Sequence, residues 1–261
     1  MLHILSPAKS LDFKTNLKIE EISQPALLSE SEKLIKNLKN KSPQDLRTLM
    51  SISEKLADLN YNRFQDWEGA KTLSDNSRQA VFAFTGDVYK GLDATTLSKE
   101  EIQYAQNNLR ILSGLYGVLR PLDIMEAYRL EMGTSLKIGK HNSLYEYWGD
   151  KVTEELNKVL KTQDEKVLIN LASNEYFKSV NKKKIEGEII SPEFKDAKAG
   201  QYKIIAFYAK KARGLMSRFI IQHRINKIED LKAFDLGGYR YNEDMSTTKS
   251  PVFTREENQT S

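Results

Sequence analysis

The chain has 261 residues, with 40 lysines and arginines against 36 aspartates and glutamates, a net charge of +4, and no cysteine. That length buries a substantial core in one large domain or two small ones. The absence of cysteine excludes disulfide switches, thiol peroxidases, thiolate zinc sites and cysteine-ligated clusters.

In chain order, residues 2–5 read as a strand closed by Ser6-Pro7. Residues 29–40 carry Leu34, Ile35 and Leu38 at helical spacing. Ser42-Pro43 then combines a capping serine with proline at the first helical position, and Ser51 to Glu54 offers a second capping box. Residues 43–64 are therefore expected to form two short helices joined by a tight turn. Residues 81–84 predict a strand, with a loop over 86–91, and Ser98 starts another helix. Gly114, Gly117 and Pro121 mark a sharply turned region. An amphipathic helix is predicted over 143–160, and a buried central strand over 167–172. Strands over 188–194 and 202–208 follow, then the helix described below, a short helix over 226–234 and two strand-like runs in the tail. The tail from about 241 to 261 is expected to be partly irregular, with its last residues frayed. No repeat or linker divides the chain. The expected fold is a single mixed α/β (α+β) domain over 1–261, a mixed sheet with helices around it.

Charge is unevenly spread. Between Tyr176 and Arg224 twelve lysines and arginines face four acids, a surplus larger than that of the whole protein. On a helix over 209–224, Ala212, Leu215, Met216, Phe219 and Ile220 share one apolar arc. Lys210, Arg213, Ser217 and Arg224 fall opposite, with Lys211 and Arg218 on the flank. No acid interrupts this face, which leaves no i,i+4 ion pairs to explain it. A cationic face of this kind points to a polyanion, nucleic acid first. Lys182, Lys183 and Lys184 are close enough in sequence to extend it, as phosphate contacts without sequence readout. Tyr202, Phe207 and Tyr208 are read as core residues.

Polar residues crowd into five further segments: 6–9, 85–89, 119–123, 128–133 and 170–176. Three follow apolar strands, where ligand-contacting loops often lie. One arrangement gathers Lys9, Asp87, Arg120, Arg129, Glu131, Asn170 and Glu175 around a cleft. The alternative uses Arg120 with Asp123 and Arg129 with Glu131 as structural ion pairs. Nucleotide-binding glycine fingerprints and a serine-nucleophile elbow are absent. The three histidines, His3, His141 and His223, are not spaced as metal ligands. No cofactor and no tight metal site are expected. No apolar run is long enough to cross a bilayer, and residues 1–7 have neither a charged leader nor a cleavage site. A cytoplasmic protein with no membrane partner is expected.

Taken together, segments 5–9, 84–91, 112–133, 169–180 and 207–221 resemble the YaaA family of bacterial peroxide-stress proteins, and the resemblance runs essentially end to end. It implies protection during hydrogen peroxide stress, lower unincorporated iron with less Fenton damage, and binding of duplex or branched DNA. It also implies an unusual mixed fold with a positively charged cleft and a helix-hairpin-helix element. Residues 43–64 are the candidate for that element, although they lack the glycine-rich hairpin usual in such motifs. No catalytic set is carried over.

Two functions are therefore expected to compete. The first is a DNA-binding stress protein using Lys182, Lys183, Lys184, Lys210, Lys211, Arg213 and Arg218 on phosphates. The alternative is an enzyme acting on nucleic acid, a nucleotide or a modified base in a pocket formed by the polar loops. A metal buffer ranks below both, and the iron effect is expected to be indirect.

Overall fold

The first strand sets the architecture. In β1 (Leu2–Leu5) the side chains on both faces are buried, which requires cover above and below and a neighbour on each edge. The computed structural model, which describes residues 1–15 and 19–257, supplies all four. After β1 come β2 (Ser10–Leu11), α1 (Leu28–Lys39), α2 (Pro43–Met50), α3 (Glu54–Asp66) and β3 (Ser77–Gln79). Next are α4 (Ala80–Ala83), β4 (Phe84–Thr85), α5 (Asp87–Leu92) and α6 (Lys99–Asn108). The middle of the chain gives β5 (Leu109–Ser113), β6 (Gly117–Leu119), β7 (Ile124–Glu126), α7 (Leu144–Trp148) and α8 (Lys151–Leu160). Then follow β8 (Val167–Asn170), α9 (Asn174–Phe177), β9 (Glu188–Ile190), β10 (Glu193–Lys198) and β11 (Gln201–Lys203). The last elements are α10 (Ala206–Gln222), β12 (Arg240–Asn242) and β13 (Val252–Arg255), with 3-10 segments at Ile228–Ala233 and Leu236–Gly238 between α10 and β12.

The main sheet has five strands in the order β6-β5-β1-β8-β9. β1 runs parallel to β5, with His3 opposite Leu109, and parallel to β8, with His3 opposite Ile169. β9 continues the parallel set, and only β6 is antiparallel. From β1 the chain moves to β5 on one side, then returns to β8 on the other. The sheet therefore reverses its winding between β1 and β8, the place where open α/β sheets leave a crevice beyond their strand ends.

A second sheet, in the order β11-β10-β13-β12, packs an aromatic cluster of Phe194, Phe234, Tyr239 and Phe253. One contiguous apolar core joins both sheets, running from Met1 to Phe253. The fold is mixed α/β, as expected.

Several local expectations change. Residues 80–83 form a single helical turn instead of a strand, and β4 is confined to Phe84–Thr85. The expected loop over 86–91 is the helix α5. The expected helix over 143–160 is two helices, because Gly149 takes φ 50° between them. The strand expected over 202–208 stops at Lys203, and α10 begins at Ala206, inside its range.

Residues 43–64 do hold two helices. Ser42 caps α2 in a reciprocal box with Asp45. The second cap is Ser53, not Ser51, which instead ends α2 with φ 51°. No glycine-rich hairpin joins the pair, and Leu46, Ala57 and Phe64 turn into the core. A helix-hairpin-helix element is not confirmed. The tail carries β12 and β13 around the polar 245–250 loop, and its expected frayed end at 258–261 lies outside the described residues.

Candidate functional site

The loops that leave β1 and β8 form two walls of one cleft. They are tied together by Ser6, whose Oγ accepts from Ser173 N–H at 2.8 Å and donates to Ser173 Oγ at 3.3 Å. Tyr89 Oη donates to the Ser6 carbonyl at 3.0 Å, which brings α5 in as a third wall. The cleft has a volume of about 400 Å³, in the range of small-ligand sites. Lys9, Asp87, Arg129, Glu131 and Glu175 line it, together with Tyr89, Tyr128 and Tyr176.

Its carboxylates differ in their partners. Glu131 is held from both sides, by Lys9 Nζ at 3.0 Å and Arg129 Nη2 at 3.1 Å. Glu175 Oε1 accepts the Gly133 N–H at 3.0 Å. Asp87, the first residue of α5, has no hydrogen bond or ion pair among the described residues. Burial raises the phenols of Tyr89, Tyr128 and Tyr176 well above their ordinary range, so all three stay neutral.

The fourth wall is α10, whose Lys210 and Arg213 face the cleft. The helix has no single outer face. At Gly214 an added Cβ would lie 1.8 Å from the Val88 carbonyl oxygen, and at Gly91 2.2 Å from that of Lys211. Only glycine lets α5 and α10 touch backbone to backbone here. Ser217 is fully buried, with its Oγ 3.0 Å from His3 Nε2 on β1. Phe219 meets Phe234, beside the second sheet, at 5.6 Å between ring centroids. Arg218 donates from Nη1 to the carbonyls of Leu92 and Asp93 at 3.0 and 2.9 Å, closing the C-terminus of α5. The cationic face expected from the helical wheel is thus divided. Arg218 serves α5, Ser217 serves β1, and Arg224 lies beyond the helix with φ 49°.

Arg213 is different. It is half-buried, burial lowers its pKa from the ordinary guanidinium value, and no described residue gives it a hydrogen bond or ion pair. A desolvated cation without a counter-charge is costly unless an anion from outside completes it. Lys210 and Lys211 are exposed beside it.

Two of the seven expected cleft residues are elsewhere. Arg120 follows β6, which runs antiparallel to its neighbour, so it emerges at the opposite edge of the sheet. There its Nε donates to the buried Asp123 at 3.0 Å and its Nη2 to the Gln24 carbonyl at 2.8 Å. Asn170 turns back to pin its own loop, accepting from Ala172 N–H at 3.1 Å and donating to Ser191 at 3.3 Å. Of the lysine run, Lys184 pairs with Asp150 at 2.5 Å, Lys182 lies 5.1 Å from the Phe177 ring centre, and Lys183 is exposed. The wheel assigned Arg213 to an open face and not to this cleft. The tyrosine wall and the Ser6–Ser173 tie were also not anticipated as site features, although their segments were. Among the described residues, no three of His, Asp and Glu are grouped as a metal-binding set, and no helix is long and apolar enough to cross a membrane.

Comparison with known proteins agrees with the sequence-level resemblance. Residues 1–245 match the family model described as peroxide stress protein YaaA. The chain is 56% identical to a UPF0246 protein of Shewanella amazonensis, over 98% of its own length and 100% of the relative's. It is 55% identical to a UPF0246 protein of Colwellia psychrerythraea, again over 98% and 100%. For one of Aliivibrio fischeri the identity is 54%, over 98% of this chain and 99% of the relative. The chain belongs to the YaaA (UPF0246) family of peroxide-stress proteins.

Proposed function

We propose that this protein binds DNA during peroxide stress, with phosphates at the cleft mouth on Lys210, Lys211 and Arg213 and one nucleotide unit directed into the cleft. The observation that carries this is Arg213, a half-buried guanidinium with no partner among the described residues, lining the cleft at the β1/β8 crevice. Phosphate oxygens match a planar guanidinium better than any other common anion apart from carboxylate. Lys182 and Lys183 extend the contact along the backbone, whereas Lys184 and Arg218 already have protein partners. Limiting Fenton damage follows from covering DNA. The chain has no cysteine, and among the described residues no three of His, Asp and Glu are grouped to hold a metal ion, so the iron effect is taken as indirect.

The test is fluorescence anisotropy of a labelled duplex across a salt series. Replacing Lys210, Lys211 and Arg213 together by Gln is expected to weaken binding about tenfold or more and to flatten the salt slope by roughly two to three. If the folded triple variant keeps wild-type affinity and slope, the proposal fails.

A second activity is favoured by the convergence of five polar side chains in one cleft of about 400 Å³, within the range of small-ligand sites. In it, Asp87 is the free carboxylate available as a general base toward a nucleotide or modified base. Mass spectrometry of damaged oligonucleotides incubated with wild-type protein and Asp87→Asn checks this. A product formed by the wild type alone supports it, and identical substrate masses in both samples remove it.

A further inference from the structure

Ile204 and Phe207 are the most exposed large apolar side chains among the described residues, at 58% and 59%. Phe207 rests edge-on against Tyr208, with 5.6 Å between ring centroids, and its outer surface meets solvent. A single exposed apolar residue is ordinary. The surroundings of this one are not. Lys203, Lys210 and Lys211 are all exposed, and none has an ion pair among the described residues. Lys210 and Lys211 stand three and four residues after Phe207, so they share its side of α10. The same Lys210 lines the cleft. An accessible aromatic ring bordered by free cations is the combination that binds unpaired nucleotides, with the ring stacking on a base and the cations holding the adjoining phosphates.

We propose that Phe207, backed by Tyr208, is a stacking platform for an unpaired nucleobase, with Lys203, Lys210 and Lys211 on its flanking phosphates. The platform rests on the DNA function proposed above and adds the element that separates unpaired from paired DNA. A continuous duplex offers its phosphates but not a base face, so it uses the lysines alone.

The experiment compares a closed-end duplex with the same duplex carrying a short gap that contains 2-aminopurine. For the full-length protein the gapped DNA is expected to bind more tightly and its 2-aminopurine emission to be quenched. Phe207→Ala is expected to lose about tenfold on the gapped DNA alone, together with the quenching, while duplex affinity stays within about twofold. Phe207→Tyr should retain both. The side chain is mostly solvated, so the variants should unfold at wild-type temperature, which thermal scans check. If Phe207→Ala keeps gap preference and quenching, the platform is wrong while the DNA function stands. If the wild type binds neither DNA, both fail. If sedimentation shows self-association that Phe207→Ala abolishes while gap preference persists, a second copy covers this surface and the platform is overturned.

Discussion

The two halves of α10 use the same residue types for opposite ends. Toward its C-terminus Arg218 spends its donors on two carbonyls of α5, Ser217 meets His3 in the dark of the core, and Gly214 lies flush against Val88. One and two turns earlier, Arg213 and Lys210 face a cleft and have no hydrogen bond or ion pair among the described residues. The difference lies in what each turn packs against. Where the helix meets backbone, its polar groups are consumed by unpaired carbonyls and a buried imidazole. Where it meets the crevice between β1 and β8, Asp87, Glu131 and Glu175 line the same cleft, but none of the described carboxylates forms an ion pair with Lys210 or Arg213. Structural cations and candidate ligand-binding cations are separated by their partners, not by their sequence.

The largest blow to the structural half is expected from Gly214→Ala. Its Cβ would meet the Val88 carbonyl inside van der Waals contact, and both sides of that contact are backbone, so the helices must part. A loss of about 3 kcal/mol or more is expected in urea unfolding. A variant as stable as wild type would show that the two helices are not locked there.

Acid is expected to act next, through His3. Burial, and after it the nearby N-terminal amine, pull its imidazole down to about 3. In the unfolded chain the same group binds a proton near pH 6.5. Below that value the unfolded state therefore takes up more protons, so this contribution to stability is complete above about pH 6.5 and declines beneath it. By pH 5 the decline should reach about 2 kcal/mol. Imidazole signals in NMR check the cause: His3 should stay neutral between pH 7 and 5. A protonation step in that interval would remove the explanation.

The smallest effect is the sharpest comparison. Arg218→Ala is expected to cost about 1–2 kcal/mol, since it strips two carbonyls of a charged donor. Arg213→Ala should stay within about 0.5 kcal/mol of wild type while weakening DNA binding. Equal stability losses in the two variants would erase the distinction between the halves.

Much of this organisation could be read before the structure. Residues 2–5 and 167–172 are legible as strands because their apolar runs are bounded by turn residues, although the second ends at Asn170, and Ser42 and Ser98 cap their helices as expected. Lys9, Asp87, Arg129, Glu131 and Glu175 do share one cleft. Arg120 was misplaced because a one-dimensional reading does not reveal that β6 runs backwards, which sends the residue after it to the other edge. Asn170 sits in the right loop with its amide turned inward. The helical wheel failed on α10 for a related reason. It assumes one buried arc and one wet arc, whereas this helix is enclosed by α5, β1 and the second sheet together. Phe207 reads as core within a strand over 202–208, whereas it lies in the first turn of α10 with its ring exposed.

The central place of β1 has a consequence for synthesis. Its two partners, β5 and β8, begin at Leu109 and Val167, so the ribosome finishes more than a hundred and fifty further residues before the strand is enclosed. At ordinary translation rates that is roughly 10–30 s during which an apolar strand lacks its neighbours. Contacts so distant in sequence also slow spontaneous folding. A protein built this way is exposed to capture by chaperones for as long as its eighth strand is missing, and the crevice at β1 is among the last features to exist.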